Sequence, residues 1–319
     1  MINPISKNDI ADAHQRIVQY VHRTPVFTSA TVDKLLKAEV FFKCENFQKI
    51  GAFKIRGAMN AVLQIDKGQL KHGLLTHSSG NHAQAIAYAA KILGTAAYIV
   101  MPSTSPKVKV NAVKGYGAKV IFCEPNQAAR EQAAKKLHAE TGATFIPPYD
   151  HDHVIAGQAT VAKELIEDMD HLDIVMAPVG GGGLLSGTAL SVAHWLPKGN
   201  VLGAEPEGAA DAIRSFHSGT VEKAPYVDTI ADGLLTSLSE RTLFHIRNHV
   251  SDILLVNDQE ILSALRLVYE RMKIVIEPSC AVPLAAAIKH QKLFEGKRVG
   301  IILSGGNVDL AKFGKWFSD

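Results

Sequence analysis

The chain has 319 residues, 47% of them hydrophobic and 20% charged, which is too apolar for an intrinsically disordered segment and long enough for two packed units. Thirty-four basic against 31 acidic residues leave a formal charge of +3. The densest basic run, Lys107, Lys109, Lys114 and Lys119, is spread around a helix-like segment as on a solvated face, which argues against nucleic acid as a partner.

In chain order, Ile10, Ala13, Ile17, Val18 and Val21 recur at helical spacing after a Ser6 cap, predicting an amphipathic amino-terminal helix and not a signal peptide. Short β-rich runs then alternate with helical stretches. They are AEVFFKCE, GLLTH before a helix at NHAQAIAYAAKIL, AAYIVMP before a helix after Pro106, and AKVIFCE before AAREQAAKKLHAE. The pattern continues with ATFIPP before a helix from about Val154, DIVMAPVG before a helix from about Leu184, and NVLGAEPE. Strands apolar on both faces and joined by helices predict an α/β fold of mainly parallel, open sheets covered on both sides.

Three βα units between about residues 72 and 147 are expected to close a small sheet, and the strand at DIVMAPVG to begin a larger one. The expected division is a large domain of residues 1–71 and 148–319 with a small domain of 72–147 inserted in it, the boundary falling near PPYDHDH. No apolar run approaches the roughly 20 residues a membrane span requires. Cys44, Cys123 and Cys280 lie far apart without a CxxC pair, which argues for a reducing cytoplasm and against a disulfide framework or a zinc cluster.

Four stretches could carry chemistry. In GAFKIRGA, Lys54 stands between Phe53 and an arginine with no acidic residue near, and the stretch alone leaves open a solvated lysine or an amine held for covalent chemistry. In MAPVGGGGLLSG, Gly180, Gly181, Gly182 and Gly183 join a strand to a helix; without Cβ atoms they can aim several N–H groups and the helix start at a phosphate, where a tight turn would need only one or two glycines. The dinucleotide fingerprint GxGxxG fails because Leu184 stands where glycine is required, and no lysine followed by Ser or Thr closes a Walker loop. HSSGNHAQA puts Ser78, Ser79 and Asn81 where a strand gives way to a helix, a place suited to an anion such as a carboxylate but also to a plain helix cap. His82, taken alone, reads as a structural hydrogen-bonding residue. VGIILSGGNVDL ends a buried-looking strand in Ser304, Gly305, Gly306 and Asn307. In DHDH, residues 150 to 153, adjacent side chains of a turn rarely converge on one ion.

Together ENFQKIGAFKIRGA, HSSGNHAQA, VIAGQ, PVGGGGLLSG, GAEPEGAADA, TIADG, IEPS and LSGGN resemble, in order and over essentially the whole chain, the fold-type II pyridoxal phosphate enzymes of the serine/threonine dehydratase and serine racemase branch. The resemblance implies that Lys54 is the Schiff-base lysine, which must be neutral to attack the cofactor aldehyde, and that Ser79 faces the substrate from the opposite side. It implies Phe53 and Asn81 against the cofactor ring, Gly180 to Gly183 with Leu184 at its phosphate, and Ser304 at its pyridine nitrogen, where a neutral hydroxyl makes a weaker electron sink than a carboxylate would and lets elimination compete with inversion. Ser78, Ser79, Asn81 and His82 would take the substrate carboxylate, and Arg130 and Asp232 would approach its side chain. Glu205, the Ala209 carbonyl and Asp211 would bind Mg²⁺, Mn²⁺ or Ca²⁺.

The activity so implied is deamination of L-serine or L-threonine to keto acid and ammonia with serine racemisation, in a cytoplasmic homodimer. Alternatives are dehydration of 3-hydroxyaspartate, β-replacement as in cysteine synthase, and a non-catalytic pyridoxal phosphate binder. Ala52, Ala83 and Tyr149 vary from many relatives and blur the line between racemase and dehydratase. A chain ending at Asp319 soon after LSGGNVDL leads us to expect no carboxyl-terminal regulatory domain.

Overall fold

The structure, a computed structural model, describes residue 2 and residues 4–317. Among the described residues, ten strands alternate with fourteen α-helices. The strands are β1 (Val26–Phe27), β2 (Glu39–Cys44), β3 (Leu74–His77), β4 (Ala97–Pro102), β5 (Lys119–Cys123), β6 (Thr144–Phe145), β7 (Ile174–Pro178), β8 (Asn200–Pro206), β9 (Asp252–Val256) and β10 (Arg298–Leu303). The helices are α1 (Lys7–Ile17), α2 (Ala30–Leu36), α3 (Lys54–Val62), α4 (Lys67–Leu70), α5 (Asn81–Leu93), α6 (Lys107–Gly115) and α7 (Gln127–Thr141) in the first half. The second half holds α8 (Asp152–Asp168), α9 (Gly183–Trp195), α10 (Ala212–Ser218), α11 (Glu240–His249), α12 (Asp258–Leu267), α13 (Pro278–Lys289) and α14 (Leu310–Trp316).

The strands form a six-stranded sheet in the order β1-β2-β10-β7-β8-β9 and a four-stranded sheet in the order β5-β4-β3-β6. All pairs are parallel except the short β1 on β2. The strands of the smaller sheet all lie within residues 72–147. The larger sheet does not begin at β7, because β2 lies beside β10 through Val40↔Val299 and Phe42↔Ile301, a pairing of chain ends that no local pattern announces. Central strands buried on both faces need apolar residues throughout, and β7 is buried at all five positions.

Separate apolar cores cover the faces of the larger sheet, one against α12 and α13, the other against α8, α9 and α11. A further core joins α3 to α5 and the smaller sheet. The amino-terminal helix has its Ser6 cap, with Asp9 closing a capping box, and buries Ile10, Ala13 and Ile17. It stops at Ile17, which leaves Val18 at 58% exposure, while Val21 is buried from the turn beyond. No described helix is long and apolar enough to cross a membrane.

Candidate active site

Lys54 opens α3, and the turn before it is tied to the end of β10. Phe53 donates its N–H to the Ser304 carbonyl at 3.0 Å, and Ala52 bridges Gly305. The Lys54 amine points into a cavity lined also by Phe53, Asn81, Tyr149, Glu277 and Ser304, with Gly180 to Gly183 and Leu184 forming its far wall. Nζ donates to the Pro148 carbonyl at 2.9 Å and lies 5.2 Å from the Phe53 ring centre. Burial, opposed in part by attraction to Glu277, pulls its pKa down to about 8, because removing water penalises the ammonium form.

The glycine wall has no room for side chains. A Cβ on Gly181 would stand 2.3 Å from the Tyr149 ring, one on Gly180 2.9 Å from the Leu234 Cα, and Gly182 takes φ +86°, which favours glycine. Gly183 begins α9, whose start carries no side-chain cap. Its first N–H groups and the helix dipole are thus left for an anion. Burial raises the Tyr149 hydroxyl to about 12, so the ring behind the wall stays neutral.

In the same cavity, Asn81 donates through Nδ2 to Glu277 Oε1 at 2.8 Å and accepts from Asn307 Nδ2 at 2.8 Å; Asn307 also donates to the Ile50 carbonyl. Burial pushes the Glu277 carboxyl up to about 7, with Asp232 adding to the rise. Ser279 accepts the Gly233 N–H at 2.9 Å. Glu277, Ser279, Asn307 and Pro148 carry no role in the sequence reading. Glu277 and Ser279 fall in IEPS and Asn307 in LSGGN, motifs that mark their neighbourhood but not their partners. The cavity therefore pairs an enclosed amine with an N–H-rich helix start and a serine hydroxyl, a set that fits an aldehyde-bearing aromatic phosphate.

Residues 17–305 match the family described as pyridoxal-phosphate dependent enzyme. The chain belongs to that family. It is 49% identical over 304 residues to a beta-hydroxyaspartate dehydratase of Paracoccus denitrificans (strain Pd 1222), covering 95% of this chain and 96% of that protein. It is also 49% identical over 312 residues to a serine racemase of Schizosaccharomyces pombe, covering 98% and 97%. Among solved structures, a threonine deaminase of T.th. superposes with a TM-score of 0.91 at 42% identity, over 95% of this chain and 99% of that one.

Within this pyridoxal-phosphate dependent enzyme, Ser78 and Ser79 lie on the loop between β3 and α5, both half-buried. The Ser78 hydroxyl accepts the Gly80 N–H at 3.3 Å. His82 is buried and holds the Ile146 carbonyl through Nε2 at 3.0 Å, so that nitrogen carries the proton and Nδ1 is left buried without a partner. Burial and the nearby Lys54 charge lower His82 to about 3. Arg130, on α7, has a buried Nε without a partner. Asp232 pairs instead with Lys109 of α6. None of these five lines the cavity that holds Lys54.

Glu205, at the end of β8, is buried and accepts the N–H groups of Asp211, Ala212 and Ile213 at 2.7 to 3.0 Å. Asp211 accepts the Leu238 N–H at 3.2 Å, and the Ala209 carbonyl accepts the Asp211 N–H at 3.0 Å. Burial raises Glu205 to about 8 and Asp211 to about 6, and the Asp211 charge adds to the rise at Glu205. Among the described residues no group of three or more His, Cys, Asp or Glu side chains is arranged for a metal, so a cation here would need carbonyl and water oxygens beside the two carboxylates. In DHDH, Asp150 and Asp152 pair with Arg241, and His151 caps α8.

Proposed function

We propose that this enzyme deaminates L-serine and L-threonine to keto acid and ammonia and also inverts serine, with pyridoxal phosphate held on Lys54. The supporting observation is the cavity that joins the Lys54 amine to the glycine-lined start of α9 and to Ser304. Gly180 to Gly183 and the Leu184 N–H hold the phosphate, Ser304 meets the ring nitrogen, Asn81 the ring hydroxyl, and Phe53 packs on the ring. Bound there, the cofactor supplies an electron sink for charge developing at the substrate Cα. Lys54 moves the Cα proton on one face and Ser79 on the other, while Ser78 and the neighbouring N–H groups, among them those of Asn81 and His82, orient the substrate carboxylate. Residues 72–147 form, in this reading, a small domain that carries that loop.

Glu205, Asp211 and the Ala209 carbonyl are the proposed site of a divalent cation, Mg²⁺, Mn²⁺ or Ca²⁺. Two buried carboxylates, both raised by desolvation and without a cationic side-chain partner among the described residues, support it, since hard oxygen donors suit these ions. Asp232 is assigned to the substrate side chain once released from Lys109. A cytoplasmic homodimer belongs to the same reading.

A second reading, dehydration of 3-hydroxyaspartate, is favoured by the unpartnered buried Nε of Arg130, a donor suited to a second carboxylate. A substrate panel assayed for keto acid and for enantiomer, with and without Mg²⁺ and chelator, tests both. Keto acid from serine and threonine is expected. Faster formation of cysteine from O-acetylserine and sulfide overturns the lyase. Arg130→Ala is expected to depress turnover of 3-hydroxyaspartate alone if the second reading holds, and to leave the substrates equally affected if it does not.

A further inference from the structure

Lys54 is the first residue of α3, yet that helix end has neither a side-chain cap nor an acidic residue in its first turn. At about 100° per residue, the side chain two positions on leaves the opposite side of the helix. That side chain is Arg56, fully buried behind the turn.

Its guanidinium is held in two forks. Nε and Nη2 donate to the two Glu45 oxygens, each at 2.8 Å, while Nη1 and Nη2 donate to the two Glu164 oxygens at 2.7 and 2.8 Å. Thr160 Oγ1, at 3.2 Å, takes the fifth N–H, and the His22 carbonyl, also at 3.2 Å, shares an Nη2 hydrogen with a carboxylate. Glu164 also accepts from the buried Lys43 ammonium at 2.8 Å, and Glu45 from the Thr24 hydroxyl at 2.6 Å. Arg56 and Lys43 balance Glu45 and Glu164, and Lys43 also lies 3.6 Å from Asp168 at the edge of the cluster.

A buried network of this kind is weak evidence for stability, because apolar side chains of equal volume often stabilise as well. A planar fork adds a directional constraint to that of apolar packing. The distance of α3 from α8 is already set elsewhere. A Cβ on Gly57 would lie 2.6 Å from the Val154 carbonyl oxygen, and one on Gly157 2.6 Å from that of Arg56, so the two backbones touch. Rotation of α3 about its own axis is opposed toward its far end by the Asn60 amide on the His153 carbonyl at 2.6 Å, and next to Lys54 by the Arg56 forks. Glu45 follows β2 and Glu164 sits on α8, two separate supports that oppose that rotation.

We propose that Arg56 is a positioning residue, whose double fork to Glu45 and Glu164 sets the direction in which Lys54 enters the cavity. This rests on Lys54 carrying the cofactor, and reductive trapping with peptide mapping on the parent enzyme tests that separately: cofactor on another residue sinks the assignment of Lys54 before any variant is made.

Two variants of the holoenzyme test the positioning. Arg56→Lys keeps the charge and loses the forks. Arg56→Met with Glu45→Gln removes one charge of each sign and leaves the Lys43–Glu164 pair intact. Thermal unfolding, visible circular dichroism per bound cofactor, kcat and KM are measured at equal cofactor occupancy. At least one variant is expected to keep cooperative unfolding while its visible dichroism falls to about half or less and kcat drops on the order of tenfold to a hundredfold, the cost of a reacting group displaced by a fraction of an ångström, with KM changed less than about threefold. A folded, loaded variant with the parent's dichroism and kcat overturns the proposal. Failure of both variants to fold also overturns it, since the cluster is then a stability element.

Discussion

The Lys54 amine donates to the Pro148 carbonyl across 94 positions of sequence, at 2.9 Å. This bond ties the first turn of α3 to the segment that enters α8, and Gly180 to Gly183 line the same cavity as Lys54. Proton loss leaves this nitrogen a lone pair within the cavity, and the depressed pKa eases that loss.

The first prediction concerns pH. With a pKa lowered to about 8, Lys54 is mostly neutral above that value, whereas a solvated lysine would need about 10.4. The rate at which cofactor-free protein takes up pyridoxal phosphate, followed by visible absorbance, is expected to rise with pH through about 8. Glu277 attracts the ammonium form, so Glu277→Gln removes that attraction and moves the transition to lower pH. A shift to higher pH would refute the coupling. Lys54→Ala is expected to abolish both uptake as a trapped adduct and turnover.

Gly181→Ala puts a methyl group 2.3 Å from the Tyr149 ring, so either the ring or the loop must shift. Overpacking of this kind costs about 1 to 3 kcal/mol, and the displaced N–H groups are expected to weaken pyridoxal phosphate binding about tenfold or more. Titration of the cofactor and thermal unfolding check the two effects. Unchanged affinity would remove the glycine wall from the phosphate site.

Ser79 is half-buried on its loop, and Ser79→Ala is expected to leave folding intact. Loss of a proton-transfer group on one face should cut inversion of L-serine by about a hundredfold or more while largely sparing pyruvate formation. Enantiomer analysis beside a keto-acid assay measures both. Equal loss of the two activities would count against one residue per face.

Chelation should lower the melting temperature, and Mg²⁺ should restore it, if the buried Glu205 and Asp211 carboxylates hold a cation. Glu205→Gln removes one charge from this pair but keeps an oxygen acceptor, and it is expected to abolish the response to chelator and metal alike. Calorimetric unfolding of both proteins, with and without chelator, decides the matter. A parent enzyme indifferent to chelator and to Mg²⁺ would leave the carboxylates as a purely structural pair.

Some of the site is legible in the chain because each of its loops announces itself over a few residues. GAFKIRGA, the four glycines after β7 and LSGGN after β10 all end up on one cavity, and their glycines mark places where backbone must come close to something else. Ser6 and its partner Asp9 are equally local, and the helix they start is evident together with its cap. Val18 is misplaced by its spacing, which does not say that the helix ends at Ile17.

The sequence by itself determined the alternation of buried strands and helices and the sites of the tight backbone turns, because periodicity and glycine act over neighbouring residues; the type of chemistry was implied by the order of several motifs along the chain, since GAFKIRGA alone leaves the role of its lysine open. Tertiary structure alone decided that β2 lies beside β10, that Glu277 faces Asn81 and Lys54, that Asp232 is held by Lys109, and that Arg56 is gripped by Glu45 and Glu164. Those contacts join residues far apart in the chain. The charge and burial of each partner have meaning only once folding has removed the water between them.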